Sequence, residues 1–113
     1  MIASGTPISD FDKLLKIAIR ERRLVTFVLD QRLRRAEPHD YGLIDGERRL
    51  FFYQVGGESR SGRPVGWRWA MLSKMSELRV LDQCFPGPRP APSGRHVKWD
   101  KLFATARLAA VAR

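Results

Sequence analysis

The fold is decided by the stretch Leu50 to Leu72, LFFYQVGGESRSGRPVGWRWAML, which holds two runs rich in aromatic and aliphatic side chains. These runs, Leu50–Val55 and Val65–Leu72, are typical of half-buried strands, because aromatic and β-branched side chains pack well on a pleated surface. The segment between them, Gly56–Pro64, has three glycines and no apolar side chain, so it is expected at the surface. The stretch therefore predicts a hairpin at the centre of a small barrel that also forms one wall of a binding site.

A helix is predicted before this hairpin, with Ser9 as its N-cap and Arg22 near its end. Its apolar side chains recur every three or four residues, which is the spacing of one face of an amphipathic helix. The members of this stripe are Phe11, Leu14, Leu15, Ala18 and Ile19.

Five strands are predicted after the helix. The dipeptides Asp30-Gln31 and Asp45-Gly46 indicate tight turns, and Pro38 indicates an edge position or a bulge in the second strand. One helix followed by five short strands favours a mainly β domain of the α+β type, closed into a small five-stranded barrel that leaves few exposed edges. The predicted strands cover residues 24–29, 32–43, 48–55, 65–72 and 77–84, with a helical turn at 73–76.

The remaining segments flank this domain, which we place at residues 9–85. Residues 1–8 are interpreted as a leader, and residues 86–97 as a stiff, proline-rich linker. The apolar pattern in residues 98–113 predicts a short C-terminal helix, from about Trp99 to Ala112. This helix either folds back on the barrel or meets a partner, and folding back is expected because its apolar face would otherwise be exposed.

The charge of the chain indicates an anionic partner. Among 113 residues there are 21 Lys and Arg against 12 Asp and Glu, a net charge of +9. Six of the arginines fall within residues 20–35. Such a balance favours nucleic acid, a nucleotide or an acidic lipid, and arginine binds phosphate with two parallel donors. The alternative is a charge that serves solubility alone.

Several classes of protein are disfavoured by the same composition. No apolar run approaches the length of a membrane span, and no signal peptide is visible, so a cytoplasmic protein with no membrane partner is expected. Cys84, the single cysteine, excludes an internal disulfide and is expected to be buried. The two histidines, His39 and His96, form no metal-ligand spacing and no acid–base pair. We therefore expect no enzyme activity and no cofactor.

Two places in the central hairpin are candidates for anion binding. Arg68 lies between Trp67 and Trp69, so if both tryptophans share the core face, the guanidinium points to the other side and can bind an anion. The alternative for Arg68 is a solvated barrel exterior. Ser59 and Ser61 lie in the glycine-rich turn, whose hydroxyl and N–H groups can cradle phosphate, although a plain flexible hairpin loop is the favoured interpretation.

Four segments together resemble the WYL-domain family of bacterial regulatory proteins. Their order matches: a basic helix end and first strand, a strand with Glu-Pro-His, an Asp-Gly turn before an aromatic strand, and a Trp-Arg strand leading to a short turn. The triplet that gives the family its name is replaced here by Arg48-Arg49-Leu50. The segments are AIRERRLVTF (18–27), RAEPHDYGLIDGERRLFFYQ (35–54), WRWAMLSKMSEL (67–78) and VLDQCF (80–85).

The resemblance implies an Sm-like or SH3-like barrel that senses a nucleotide or single-stranded nucleic acid. It implies pocket positions for His39 and Tyr53, and further basic positions at Arg35 and Lys74. The alternative for His39 is a half-buried strand histidine that is hydrogen-bonded to backbone, and the alternative for Tyr53 is a core aromatic. The expected ligand-binding residues, with those from the hairpin, are Arg35, His39, Tyr53, Ser59, Ser61, Arg68 and Lys74.

Two functions are compatible with these observations. The first is a non-enzymatic, ligand-sensing regulatory module that binds a nucleotide or single-stranded nucleic acid. The second is a protein-interaction subunit, an oligomerising barrel without a small ligand, and a homodimer is possible in either case. Binding through several phosphates weakens steeply with added salt, whereas an apolar protein interface does not.

Overall fold

The computed structural model describes residues 8–57, 65–87, 89 and 99–106. Within these residues one α-helix precedes six strands of a single antiparallel sheet. The predicted N-terminal helix and five strands are confirmed, and each boundary lies within two residues of its predicted place. In chain order the elements are α1 (Ile8–Glu21), β1 (Arg23–Leu29), β2 (Arg32–Ile44), β3 (Glu47–Gly57), β4 (Gly66–Met71), a 3-10 turn (Leu72–Lys74), β5 (Met75–Cys84) and β6 (Lys101–Thr105).

The ends of the first elements are set by residues with positive φ. Helix α1 ends at Glu21 because Arg22 has a φ of 56°, the left-handed conformation typical of helix C-termini. Both residues of Asp30-Gln31 and both residues of Asp45-Gly46 also have positive φ. Two such residues in succession form the two-residue turn that matches the twist of a hairpin, so both predicted turns are confirmed.

Strand β2 is the centre of the sheet. One of its edges pairs with β3 along almost its whole length. Its other edge pairs first with β1, through residues 32–36, and then with β6, through residues 40–43. Between these two pairings, the His39 carbonyl accepts the backbone N–H of Ala106 at 2.7 Å, so this buried strand also finds backbone partners outside the ladders.

The sheet is open in the part of the chain that the structure describes. The strand order is β4-β3-β2-β1-β5, with β6 beside β2 and off this path. The end strands β4 and β5 are joined by the 3-10 turn but do not pair with each other. The mainly β architecture is therefore confirmed, whereas closure of five strands into a barrel is not observed.

Pro38 lies at a bulge, as the sequence predicts, in a part of β2 that pairs with β3 but with neither β1 nor β6. The pairing of β2 with β3 runs from Pro38↔Phe52 to Asp40↔Phe51, so His39 is the extra residue. A bulge accommodates proline, which has no N–H to donate to the ladder. The extra residue also changes which side chains of β2 face each side of the sheet.

Helix α1 covers one face of the sheet, which we call the helix face. The register Tyr41↔Leu50↔Ala70 places these three side chains on that face, and Phe52 lies two residues beyond Leu50 on the same side. Rings of Phe27 and Phe52 meet edge to face with centroids 5.1 Å apart. The helix contributes its predicted apolar stripe, of which the fully buried members are Phe11, Leu15, Ala18 and Ile19.

A polar network fastens α1 to the sheet beside this core. The Tyr41 hydroxyl donates to Asp12 Oδ1 at 2.6 Å, and Arg48 Nη1 lies 3.1 Å from the same oxygen. Lys16, one turn along the helix, lies 3.1 Å from the other carboxylate oxygen. Partial burial raises the pKa of Asp12, but the bonds from Tyr41, Lys16 and Arg48 outweigh it and hold that pKa below its usual value.

The C-terminal helix prediction is wrong for residues 101–105, which form strand β6. The apolar spacing after Val97 fits a helix locally, but the second half of β2 has an edge that needs a partner. Pairing of residues 40–43 with β6 supplies that partner, and tertiary context overrides the local pattern. Three parts of the predicted segments lie outside the described residues. They are residues 1–7 of the leader, most of the 86–97 linker, and residues 107–113 of the predicted C-terminal helix.

Gly42 makes the close approach of β6 possible. A Cβ at this position would lie 2.2 Å from the carbonyl oxygen of Lys101 and 2.7 Å from the ring of Trp99. Both are closer than a real Cβ contact, and the nearer one is backbone, which cannot swing aside. At Gly56, by contrast, a Cβ would meet nothing closer than 3.9 Å.

We expect Gly42→Ala to destabilise the protein by about 2 kcal/mol, since the added methyl group overpacks the β2–β6 contact. Urea unfolding followed by circular dichroism measures this loss. Gly56→Ala is the matched control and is expected to change the free energy of unfolding by less than about 0.5 kcal/mol. Equal stability of the two variants would contradict the placement of β6 beside Gly42.

We expect Asp12→Asn to cost about 1 kcal/mol at neutral pH, because the ion pair with Arg48 is lost. The pKa of Asp12 is depressed in the folded state, so its contribution is present above the usual value of 3.8 and disappears as pH falls through the folded pKa. The stability difference between wild type and variant should therefore shrink toward zero in acid. A stability difference of the same size at neutral and acid pH would contradict this network.

Candidate binding site

The face of the sheet opposite α1, which we call the outer face, carries a second layer of aromatic side chains. The register Phe51↔Trp69 and Tyr53↔Trp67 places four of them there, because β-strand side chains alternate between faces. Ring centroids of Phe51 lie 4.6 Å from Trp67 and 4.5 Å from Trp69. Trp99, just before β6, extends the layer at 5.6 Å from Trp69.

His39 is fully buried within this layer. Its Nε2 accepts the backbone N–H of Arg89 at 3.0 Å, so the proton of the neutral ring lies on Nδ1, which donates to the Glu37 carbonyl at 2.9 Å. Its ring stacks on Phe85 and meets Trp67 edge to face, with centroids 5.5 and 4.8 Å away. The structure thus places His39 as a strand histidine bonded to backbone, and its outer neighbours cover it.

Glu37 and Arg89 form a two-pronged ion pair beside His39. The carboxylate, on a residue only 5% exposed, accepts Arg89 Nε at 2.6 Å and Nη2 at 3.0 Å. The guanidinium carbon also lies 4.0 Å from the ring centroid of Tyr53. Hydrogen bonding to Glu37 raises the pKa of Arg89 above its ordinary value, and burial opposes this only partly. Tyr53 therefore lies on the outer face, where its ring contacts a cation.

Arg35 lines a groove of about 390 Å³ next to this ion pair, which we call the Arg35 groove. Its guanidinium donates to the Gln83 side chain on β5. Cys84 also lines the groove and is exposed, so the expectation of a buried thiol is wrong. The strand ends there, and its last residues lie at the margin of the sheet. The other lining residues are Leu24, Glu37, Val55, Gly56, Gly57, Phe85 and Pro86.

Arg68 lies on the opposite side of the sheet from this groove. It pairs with Phe52, so it faces the helix side, while Trp67 and Trp69 face outward. Its relation to the two tryptophans is as predicted, but the core of the protein lies on the arginine's side. Arg34, which is only 4% exposed, carries a positive charge that interacts with that of Arg68. Burial lowers the pKa of Arg34, repulsion from Arg68 lowers it further, and the carboxylate of Asp30 opposes the decrease.

Lys74 lines a second groove, of about 300 Å³, which we call the Trp69 groove. Trp69 is 39% exposed there, and Arg49 supplies a second cation. The Nε of Arg49 is buried and makes no hydrogen bond with the described part of the chain. Asp30 contributes a carboxylate to the same groove. The remaining lining residues are Leu29, Ala70 and Met71.

The described residues thus distribute the predicted site over three places. His39 and Tyr53 lie together on the outer face, with Arg35 in the adjoining groove. Arg68 lies on the helix face of the sheet, and Lys74 lies in the Trp69 groove. Ser59 and Ser61 lie outside the described residues.

Two residues of these sites, Arg49 and Arg89, are absent from the set predicted from the sequence. The position of Arg49 could have been predicted, because it lies two residues before Phe51 on the same strand and therefore shares its face of the sheet. The position of Arg89 could not, since a proline-rich segment gives no register from which its partner can be read.

The chain matches no family model, and neither a curated protein nor a solved structure shows significant similarity to it. Within residues 8–57, 65–87, 89 and 99–106, His, Cys, Asp and Glu side chains form no group that could hold a metal ion. In the same ranges no helix has both the length and the apolar character needed to cross a membrane.

Proposed function

We propose that this protein is a non-enzymatic binding module that recognises a nucleotide or single-stranded nucleic acid in the Trp69 groove. The observation that carries the proposal is the exposed indole of Trp69 with Arg49 and Lys74 in the same groove. An exposed aromatic ring offers a surface on which a base can stack, and flanking cations contact phosphates. The groove, at about 300 Å³, has the size of a small-molecule site.

The charged groups of the groove support a ligand that carries both a phosphate and a nucleobase. Arg49 lines the groove as a half-buried residue, and its planar guanidinium is suited to binding a phosphate. Lys74, an exposed residue, adds a mobile ammonium group. Asp30 offers an acceptor that suits an amino group of a base rather than a phosphate. The net charge of +9 draws polyanions toward the surface.

The regulatory role and the closed barrel remain part of this proposal. Support for both comes from the resemblance to WYL domains and from the order of one helix followed by antiparallel strands. The short turn Leu72–Lys74 between the two end strands is compatible with a small Sm-like barrel. A cytoplasmic regulator of this type would report ligand binding to a partner rather than perform chemistry.

A second candidate function is favoured by β4. This strand is an end strand of the described sheet, and its flank carries two exposed apolar side chains, Val65 and Trp69. Unpaired strand edges pair readily with another chain. Under this alternative the protein is an oligomerising subunit, and a second copy covers the Trp69 groove.

Fluorescence anisotropy with a labelled oligothymidylate of about twelve nucleotides tests the proposed function. We expect binding that weakens by roughly tenfold or more between about 50 and about 200 mM salt. Trp69→Leu should weaken it by a further factor of roughly ten, because base stacking is lost. Lys74→Ala should weaken binding and reduce the salt dependence, whereas Lys13→Ala, the matched control on α1, should do neither.

Two results would contradict nucleic-acid binding in this groove. The first is an affinity that Trp69→Leu and Lys74→Ala leave unchanged. The second is no binding at low salt together with a dimer in light scattering that Trp69→Leu dissociates, which would support the oligomerising subunit.

A further inference from the structure

After β5, Phe85 and Arg89 lie against the outer face, and Arg89 contacts it through its side chain. Phe85 is buried, stacks on His39 and donates its backbone N–H to the carbonyl of Arg22 at 2.8 Å. Four residues later, Arg89 reaches Glu37, His39 and Tyr53. Arg89 belongs to no helix or strand, so side-chain and local contacts rather than a ladder of sheet hydrogen bonds hold it.

The three groups that receive Arg89 are complementary to different parts of an arginine residue. The Glu37 carboxylate matches the planar fork of the guanidinium with bonds of 2.6 and 3.0 Å. The Tyr53 ring lies against the flat face of the same group at 4.0 Å. His39 Nε2 accepts the backbone N–H at 3.0 Å. Lysine could satisfy neither the fork nor the stacked face in this way.

These receptor groups lie on paired strands of the sheet, which position their backbone. Glu37 and Tyr53 are directly paired across β2 and β3, and His39 occupies the bulge next to them. His39 is further fixed by its bond to the Glu37 carbonyl and by the Trp67 ring. If Arg89 withdrew, a buried carboxylate would remain without a cation, which is a costly state that favours another guanidinium.

Access to this place is available from the neighbouring groove. The Arg35 groove shares Glu37 and Phe85 with the Arg89 contact, so its wall is continuous with the ion pair. The Arg89 side chain is itself 42% exposed. Exchange of its guanidinium for another one therefore does not require the sheet to open.

We propose that Glu37, His39 and Tyr53 form an arginine-recognition site, filled in cis by Arg89 and open to an arginine of an extended, proline-flanked peptide when Arg89 withdraws. Proline at the flanks suits this occupant, because the cis segment itself has the sequence Pro86-Gly87-Pro88-Arg89-Pro90. The site is separate from the Trp69 groove, and the inference stands or falls independently of nucleic-acid binding.

Chemical rescue tests the chemistry of the site in the full chain. Arg89→Ala should lower the melting temperature, and ethylguanidinium at about 10 mM should recover part of the loss, because it restores a fork to Glu37. Ethylammonium at the same concentration is the matched control and should recover less. In Arg89→Ala combined with Glu37→Gln the guanidinium-specific recovery should disappear. Equal recovery with both cations, or recovery that persists in the double variant, would overturn the assignment.

Binding in trans tests whether a peptide can take the place of Arg89. A fluorescein-labelled peptide of residues 85–92, FPGPRPAP, should bind Arg89→Ala at least tenfold more tightly than it binds wild type, in which the site is filled. The same peptide with alanine in place of arginine should not bind. If Arg89→Ala does not fold, Arg89→Lys keeps the charge without the fork and serves as the receptor. Equal binding to both proteins, or binding that does not depend on the arginine, would overturn the proposal.

An unchanged affinity of Arg89→Ala for the oligothymidylate is the expected control result. It would show that the peptide site and the Trp69 groove are independent. Loss of the oligothymidylate affinity together with peptide binding would overturn their separation.

Discussion

The rest of the structure depends on one constraint: the long central strand β2 must have a hydrogen-bonded neighbour along both edges. A buried N–H or carbonyl without a partner costs free energy comparable to a lost hydrogen bond. Strand β1 is too short to accompany all of β2. Residues 40–43, in the second half of β2, are paired by β6 from the far end of the chain. Satisfying the backbone of one strand therefore brings the C-terminal segment onto the sheet.

The bulge at His39 gives the two faces of β2 different chemistry. On the helix face, Tyr41 joins the apolar core and the Asp12 network. On the outer face, Glu37 and His39 lie beside the aromatic rings of β3 and β4. A carboxylate and a histidine buried among aromatic rings need polar partners, and the segment that leads to β6 supplies Arg89. The same returning chain thus completes both the backbone pairing and the polar contacts of the outer face.

Elements whose conformation is determined within their own segment were predictable from the sequence, and elements that depend on distant residues were not. Helix α1 and strands β1–β5 were predictable because their apolar periods and turn residues lie within the segments themselves. Strand β6 was not, because its conformation depends on the free edge of β2, which is distant in sequence. Within the site, strand alternation shows that Arg49, Phe51 and Tyr53 share one face of the sheet. It does not show which face packs against α1. Arg68 was therefore placed correctly relative to the tryptophans and incorrectly relative to the core.

Both contributions of the C-terminal segment meet at His39, so amide hydrogen exchange at its two bonding partners tests whether this segment is fixed on the sheet. The amide of Ala106 donates to the His39 carbonyl at 2.7 Å, and the amide of Arg89 donates to its ring at 3.0 Å. Exchange measured by NMR should show both amides protected in wild type. In His39→Ala, protection should be lost at Arg89 and kept at Ala106, because only the ring is removed. Rapid exchange of both amides in wild type would contradict the account.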